Sequence, residues 1–325
     1  MKFVYVLTSS NNDYFYEQLY LSITSIKYHN PDAYIILLVD KKTKQNLVEK
    51  RKSYEKIISE IIIISPPVEY NQKEISRWIK TSIPNYVSDD FLFIDCDTII
   101  TEPLGSGIFF DMQIGAVLDT HVTLENHHLR EYFRKEDKKA GFSSSIKSNK
   151  RFNGGVIYCK NSDCAFGFFD EWHSLWKEGM IKGCSQDMPS FNQANINTHN
   201  IITELPGEWN CQISHNGLPY LSIAKIIHYY ATSLVSFEPA LIFASLELLA
   251  SIKDTGELSY DIIKRLENPK SAFEPLSRII SDKTVIDTFD SSAFSKLIWF
   301  NRRYPNIFKK LDYFITFLTK IIKNI

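Results

Sequence analysis

Short apolar runs and longer mixed stretches alternate along the first hundred residues. The runs KFVYVLT, AYIILLVD, EIIIIS and FLFID are apolar at successive positions. Such runs read as strands buried on both faces. The stretches between them carry a different period. Tyr16, Leu19, Ile23 and Ile26 recur at helical spacing, with Asn12 or Asp13 placed to cap and Pro31 beyond the end. KKTKQNLVEKRKSYEK reads as an exposed helix, and KEISRWIKTSIPNYV as another, interrupted at Pro84. This rhythm predicts an α/β fold whose mostly parallel central sheet is flanked by helices.

Beyond residue 97 the rhythm loosens. IGAVLD reads as a short strand, and residues 121–151 as a mobile, solvated loop region that could act as a lid. GGVIYCK returns to strand. DCAFGFFDEWHSLWKEG reads as a helix turning Phe166, Phe169 and Leu175 or Trp176 to a core, and KIIHYY as a late strand. From about residue 236 the pattern is helical, in PALIFASLELLASI, YDIIKRLEN and EPLSRIIS. The expected division is an α/β domain over 1–235 and a helical C-terminal region over 236–325.

At 325 residues and 44% apolar, the chain can bury a sizeable core. A net charge of −1 argues against a general nucleic-acid binder. The charge is unevenly spread. From Ser291 onward seven basic residues face one aspartate, a net +6, so the remainder carries −7. This basic, aromatic tail, divided at Pro305, suits either the headgroup plane of an anionic membrane or packing on the domain. LDYFITFLTKII is too short to span a bilayer. Five cysteines without a C-x-x-C pair argue against a disulfide framework or zinc ribbon and for a reducing, cytoplasmic setting. The opening MKFVYVLTSS reads as a strand rather than a signal peptide.

FLFIDCDTII holds the candidate chemistry. Asp95 and Asp97 stand one residue apart at the mouth of an apolar strand, so both can point the same way. Buried there, they must be paired, hydrogen-bonded or bound to a metal. Three readings are open: a turn with both aspartates capping amides, an aspartyl nucleophile, or a divalent-metal bridge to a nucleotide diphosphate. A haloacid-dehalogenase-like nucleophile needs a threonine two residues after the second aspartate, where this chain has Ile99.

The wider series supports the metal bridge. VLTSSNNDYFYEQL, KTSIPNYVSDDFLFIDCDTII, RFNGGVIYCKN, SQDMPSFNQ, LPGEWNCQ and KIIHYY occur in this order. Over roughly residues 1–235 the set resembles the glycogenin- and galactosyltransferase-like glycosyltransferases of family 8, retaining enzymes with the GT-A nucleotide-sugar-binding fold. The resemblance implies Asp95, Asp97 and His228 as metal ligands, for Mn²⁺ or else Mg²⁺. From the residue alone, His228 would read as a core histidine. Thr8 and Tyr14 match positions near the base, though Tyr14 also suits the core. Asp40 either bonds the base or ends its strand. Lys80 matches a donor-contacting cation or is a solvated helix lysine. Asn153, Gly154 and Gly155 resemble the family's turn at the donor sugar. Gln186 and Asp187 match its Gln-Asp beside the anomeric carbon, with Asp187 binding the sugar and Gln186 stabilising positive charge.

The implied activity is transfer of a hexose from a nucleotide-diphosphate donor, a UDP-sugar, to a glycan or lipid-linked acceptor with retention. There are departures from the family. Ser185 stands where an Asp is common. HYYATSL lacks the glycine and lysine that grip the diphosphate, and Lys225 substitutes only if the chain curls back. His121, His127 and His128 read as a surface cluster rather than a zinc site. Two rivals are a catalytically silent sugar-binding protein of the same fold and a nucleotidyltransferase. The latter needs a Gly-rich basic loop, which TSSNNDYFYE is not.

Overall fold

The computed structural model describes residues 1–230, 241–272, 288 and 291–322. The four N-terminal apolar runs are strands β1 (Lys2–Leu7), β2 (Ile35–Asp40), β3 (Glu60–Ile64) and β4 (Phe91–Ile94). They lie parallel in the order β3-β2-β1-β4. Six shorter or later strands follow: β5 (Thr98–Ile100), β6 (Ile114–Leu118), β7 (Phe152–Cys159), β8 (Ile202–Glu204), β9 (Cys211–Gln212) and β10 (Ile226–His228). β7 joins β4 antiparallel, β6 pairs antiparallel with β7, and β8 ends the sheet parallel to β6. β5, β10 and β9 form a separate small sheet.

The runs of β1, β2 and β4 are continuous because both faces of the sheet are covered there; the edge strand β3 is only partly buried, with Ile63 53% exposed. Phe3, Tyr5 and Leu7 enter one core, Val4 and Val6 the other. Helix α1 (Phe15–His29) turns Tyr16, Leu19, Ile23 and Ile26 into the first core. The three- and four-residue spacing of these side chains therefore marks a packing face. Helix α2 (Lys41–Asn46) follows β2 directly. On the opposite face, α3 (Gln72–Thr81) contributes Ile79 to the second core.

Two polar stretches differ from their sequence reading. Residues 41–56 form α2 and then a 3₁₀ segment, Glu49–Lys56, with Arg51 and Tyr54 buried. Arg51 turns inward because Glu17 awaits it there, at 2.9 Å from both Nε and Nη2. Residues 121–151 are not a solvated loop. They hold α4 (Arg130–Ala140) and α5 (Ser144–Lys147). Asp137 accepts hydrogen bonds from Ser144 Oγ (2.6 Å) and the Ser145 amide (2.8 Å), and the Arg151 guanidinium covers the Phe133 ring at 3.9 Å. The buried side of this region mixes Leu124, Phe133, Ala140 and Phe142 with His127, Asp137, Ser144 and Arg151, which blurs its apolar periodicity.

Helices α6 (Asp163–Ile181) and α7 (Asp187–Asn197) complete the second core with Phe168, Phe169, Trp172 and Phe191. A third core joins Leu21 of α1, Ile99 and Ile227 to Phe243, and to Leu249, Ile252 and Ile262 of α8 (Leu246–Thr255) and α9 (Tyr260–Glu267). The C-terminal region up to Ala272 thus shares its packing with α1 and the small sheet. The expected boundary at 235/236 and the stretch EPLSRIIS lie outside the described residues. Pro305 does divide the tail, into helices Ser292–Arg303 and Pro305–Ile322. Among the described residues no helix is long and apolar enough to cross a membrane.

Candidate active site

Asp95 follows the last residue of β4, and Asp97 precedes β5. They lie at the carboxyl end of a central strand, where open α/β sheets bind ligands. The small sheet adds the third group. β10 runs antiparallel to β5 with His228 opposite Thr98, which sets His228 Nε2 at 3.2 Å from Asp97 Oδ1. One ligand atom each from Asp95, Asp97 and His228 lies within 4.8 Å of the others. Two carboxylates and an imidazole suit a divalent ion such as Mn²⁺.

The electrostatics agree with that fit. Burial pushes the Asp95 carboxyl up and Asp97 adds to the push, with Lys80 offsetting only part. Burial also acts on Asp97, but His228 outweighs it and the net direction is down. His228 is pulled down by burial and more strongly up by Asp97. Crowded buried carboxylates of this kind are stabilised by a cation. Among the described residues no other three such groups converge. His127, in particular, is no surface residue: it is buried, with Nε2 at 3.1 Å from Asp119 Oδ2.

A cavity of about 830 Å³ opens over these residues, a size typical of ligand sites. Thr8, Lys80, Asn153, Gly154, Gly155, Gln186 and Asp187 all line it. Lys80 is buried, not solvated. Its Nζ bridges Asp95 Oδ1 (3.4 Å) and Asp187 Oδ2 (3.2 Å). Gln186 stands at the N-cap of α7 and Asp187 is its first residue. Burial pushes the Asp187 carboxyl up, but Lys80 and Arg77 outweigh it and bring it down to about 2.

Arg77 was not anticipated. Its Nη2 donates to Gln186 Oε1 at 3.2 Å, and its Nε lies 3.4 Å from Asp187 Oδ1. Lys73 also lines the cavity and has no ion pair among the described residues. The signal was present in the sequence: Lys73, Arg77 and Lys80 are spaced i, i+4, i+7, which places three cations on one helix face.

The loop after β1 forms the other wall. Gln72 Nε2 donates to the Thr8 carbonyl and to Asp13 Oδ2, and Thr8 Oγ1 donates to the Gln72 carbonyl. Asp13 also accepts from Ser9 Oγ and the Ser10 amide. Arg51 donates to the Ser10 and Asp13 carbonyls, so the loop is held from beneath.

For Tyr14 and Asp40, each open to a base contact or a structural role, the structural role holds. Tyr14 packs against the third core with the Lys253 ammonium 4.8 Å over its ring, while its neighbour Phe15 faces the cavity. Asp40 caps α2, accepting from the Lys42 and Thr43 amides, and does not line the cavity. Lys225 does not curl back; it pairs with Glu102 at 3.5 Å.

The glycines serve this chain's own side chains. A Cβ on Gly155 would lie 2.3 Å from His228 Cε1, so only glycine leaves room for that ring. A Cβ on Gly154 would meet Lys80 Nζ at 3.5 Å, which is ordinary contact. Asn153, expected to bond sugar hydroxyls, has its amide fully engaged. It donates to Asp119 Oδ1 and Tyr230 Oη and accepts from the Gly155 and Asn210 N–H groups.

No protein-family model matches the chain, and no curated protein matches it either. Solved structures do. An active-site mutant of LgtC is 14% identical, with 80% of this chain and 98% of that one covered at a TM-score of 0.50. The chain has the GT-A fold. Mouse xyloside xylosyltransferase 1 is 12% identical over 70% of this chain and 97% of its own, at a TM-score of 0.47. The glycosyltransferase GlyE of Streptococcus pneumoniae is 15% identical over 86% of this chain and 66% of its own, also at 0.47.

Proposed function

We propose that the chain is a metal-dependent, retaining glycosyltransferase that takes a UDP-sugar as donor. One observation carries this reading: Asp95, Asp97 and His228 converge at the carboxyl end of β4, in the same cavity as Asp187 and Gln186. Asp95, Asp97 and His228 would hold Mn²⁺ or Mg²⁺, which supplies a Lewis acid for the charge developing on the leaving diphosphate. Asp187, fixed by Lys80 and Arg77, is placed to accept hydrogen bonds from the donor sugar. Gln186 is too weak a nucleophile for a covalent route. Its amide oxygen, held by Arg77, would instead face positive charge at the anomeric carbon during same-face attack. Thr8 and Gly154, which line the same cavity, would face the donor. The acceptor is a glycan or a lipid-linked sugar.

A thermal-shift screen of nucleotide sugars tests this. A UDP-sugar should raise the melting temperature by roughly a few degrees at saturation, and only with Mn²⁺. A shift without donor hydrolysis in Mn²⁺ would leave a silent binding protein of the same fold, and no shift with any nucleotide sugar would overturn the donor reading. Proton NMR of the first-formed product should show the donor's anomeric configuration, and inversion would overturn the proposed chemistry.

Lys73 supplies charge that the chain lacks after His228. Lys73 is largely exposed at the cavity wall, where partial burial and the neighbouring Arg77 lower its affinity for a proton and Asp187 offsets part of this. Lys73→Ala is expected to raise the donor KM roughly tenfold or more, the scale of one charged hydrogen bond. Steady-state kinetics at fixed acceptor checks this, and an unchanged KM removes Lys73 from the donor site.

The tail carries the membrane reading. Tyr313, Phe314 and Phe317 are 76%, 57% and 60% exposed on a helix that begins with Lys309 and Lys310 in its first turns. An exposed aromatic face beside basic residues matches an anionic headgroup layer, on the cytoplasmic side if acceptors are lipid-linked. Lys309→Glu with Lys310→Glu should release the protein from phosphatidylserine vesicles in co-sedimentation at low salt. Equal binding of variant and wild type would refute it.

A further inference from the structure

Behind His228 runs a chain of buried amides whose directions can be deduced from one end. The Gly155 backbone N–H can only donate, and it points at Asn153 Oδ1 (2.8 Å). That contact fixes which way the Asn153 amide faces. A second contact agrees, since Asn153 Nδ2 lies 3.0 Å from the Asp119 carboxylate, which can only accept when ionised. Asn210 meets the same Asn153 oxygen at 2.9 Å and must present its Nδ2 there. Its Oδ1 is then left facing His228 Nδ1, also at 2.9 Å. An acceptor at that position requires a proton on Nδ1. The lone pair of the neutral ring falls on Nε2, the atom facing Asp97.

We propose that the Gly155 amide, acting through Asn153 and Asn210, fixes the His228 ring with its proton on Nδ1 and its Nε2 lone pair turned to the metal position. The inference rests on the reading of His228 as a metal ligand and makes Asn153 and Asn210 positioning residues for it. Left to itself, the ring would be drawn the other way, because Nε2–H could donate to the Asp97 carboxylate. The amides oppose this: an unprotonated Nδ1 would face the Asn210 oxygen, acceptor against acceptor. Asn210 cannot turn to relieve that contact without setting its Nδ2 against the ring and its oxygen against Asn153 Oδ1. All of these groups are buried, so water does not substitute for a missing partner cheaply. Tyr230 closes the assembly. Its ring stacks on His228 at 4.0 Å, and its hydroxyl accepts from Asn153 and donates to Gln212. Its backbone sits at φ 51°, a strained conformation for an aromatic residue, of the kind found at functional sites.

Two measurements test the proposal, and the first needs no metal. Long-range ¹H–¹⁵N correlation on the metal-free protein, at a pH high enough to leave His228 neutral, should place its proton on Nδ1. In Asn210→Leu, which removes the acceptor, the proton should move to Nε2. In Asn210→Asp, which keeps an oxygen toward Nδ1, it should stay. A wild-type proton on Nε2, or no change in Asn210→Leu, would overturn the relay. The second measurement is Mn²⁺ affinity without any donor, read by electron paramagnetic resonance. Asn153→Ala and Asn210→Leu should each weaken it about 10- to 100-fold, the usual scale for partners that orient a ligand. A residue serving only the donor sugar would leave it unchanged, and that result at Asn153 would refute its part. Wild-type protein that binds no Mn²⁺ would sink the metal reading, while the NMR result still decides the relay. If Asn210→Leu fails to fold, Asn210→Asp and Asn153→Ala carry the same comparison.

Discussion

Asp97→Asn is expected to lower transfer roughly a thousandfold or more, with the fold intact. The substitution keeps the side chain's shape and removes its charge. That charge sits where three ligand atoms converge, against His228 Nε2 at 3.2 Å. Neutralising a leaving diphosphate is worth several kcal/mol, and about 4 kcal/mol corresponds to roughly a thousandfold in rate. Stability should change far less. An amide at this position still fills the space, and its NH₂ group can donate to the His228 Nε2 lone pair. The check is donor turnover beside circular dichroism and a melting curve. Asp97→Asn protein with full activity in saturating EDTA would remove this site from the chemistry altogether.

The central strands β1, β2 and β4 were legible because they are buried on both faces, and that leaves uninterrupted apolar runs in the sequence. Asp95 and Asp97 stood out for a related reason: charge at the end of such a run is costly unless something answers it. Other parts were hidden by the same logic. The region of α4, α5 and Arg151 buries Asp137, Ser144 and Arg151 among Phe133, Ala140 and Phe142, so its inward face carries no clean apolar period. Arg51 lies in a stretch of lysines and glutamates and differs from them only in having Glu17 as a distant partner. Tyr14 and Phe15 are neighbours with similar side chains, and which one meets the cavity depends on how α1 is rotated. Asp40 closes an apolar strand as Asp95 does. The amides of α2 begin immediately after it and take up its oxygens, whereas Asp95 precedes a turn into β5. His228 needed the register of two three-residue strands to reach Asp97, and nothing local to it announces that pairing. Asn210 was within a motif that marked the region, but its role follows only from its position between Asn153 and the ring.

Gly155→Ala is expected to cost activity heavily although it adds a single methyl group. The new Cβ would lie 2.3 Å from His228 Cε1, 2.8 Å from Nδ1 and 3.0 Å from Asn153 Oδ1. No rotamer change relieves a Cβ contact on a buried strand. Either the His228 ring leaves its place or β7 shifts, and β7 is held on one edge by β4 and on the other by β6. The Gly155 carbonyl also accepts the Asp95 amide at 2.8 Å, so a shift of β7 would drag the first aspartate with it. Overpacking of this kind typically destabilises by about 1–3 kcal/mol. Activity should fall further than stability, by roughly a hundredfold or more, because a misplacement of about 1 Å at a reacting site costs that much. Gly154→Ala is the control. Its Cβ would make only ordinary contact with Lys80, at 3.5 Å, and its effect should be smaller in both measurements. Donor-free Mn²⁺ affinity separates the two most cleanly: it should collapse in Gly155→Ala and hold in Gly154→Ala. Equal affinities in the two variants would show that His228 does not bind the ion from its position under Gly155.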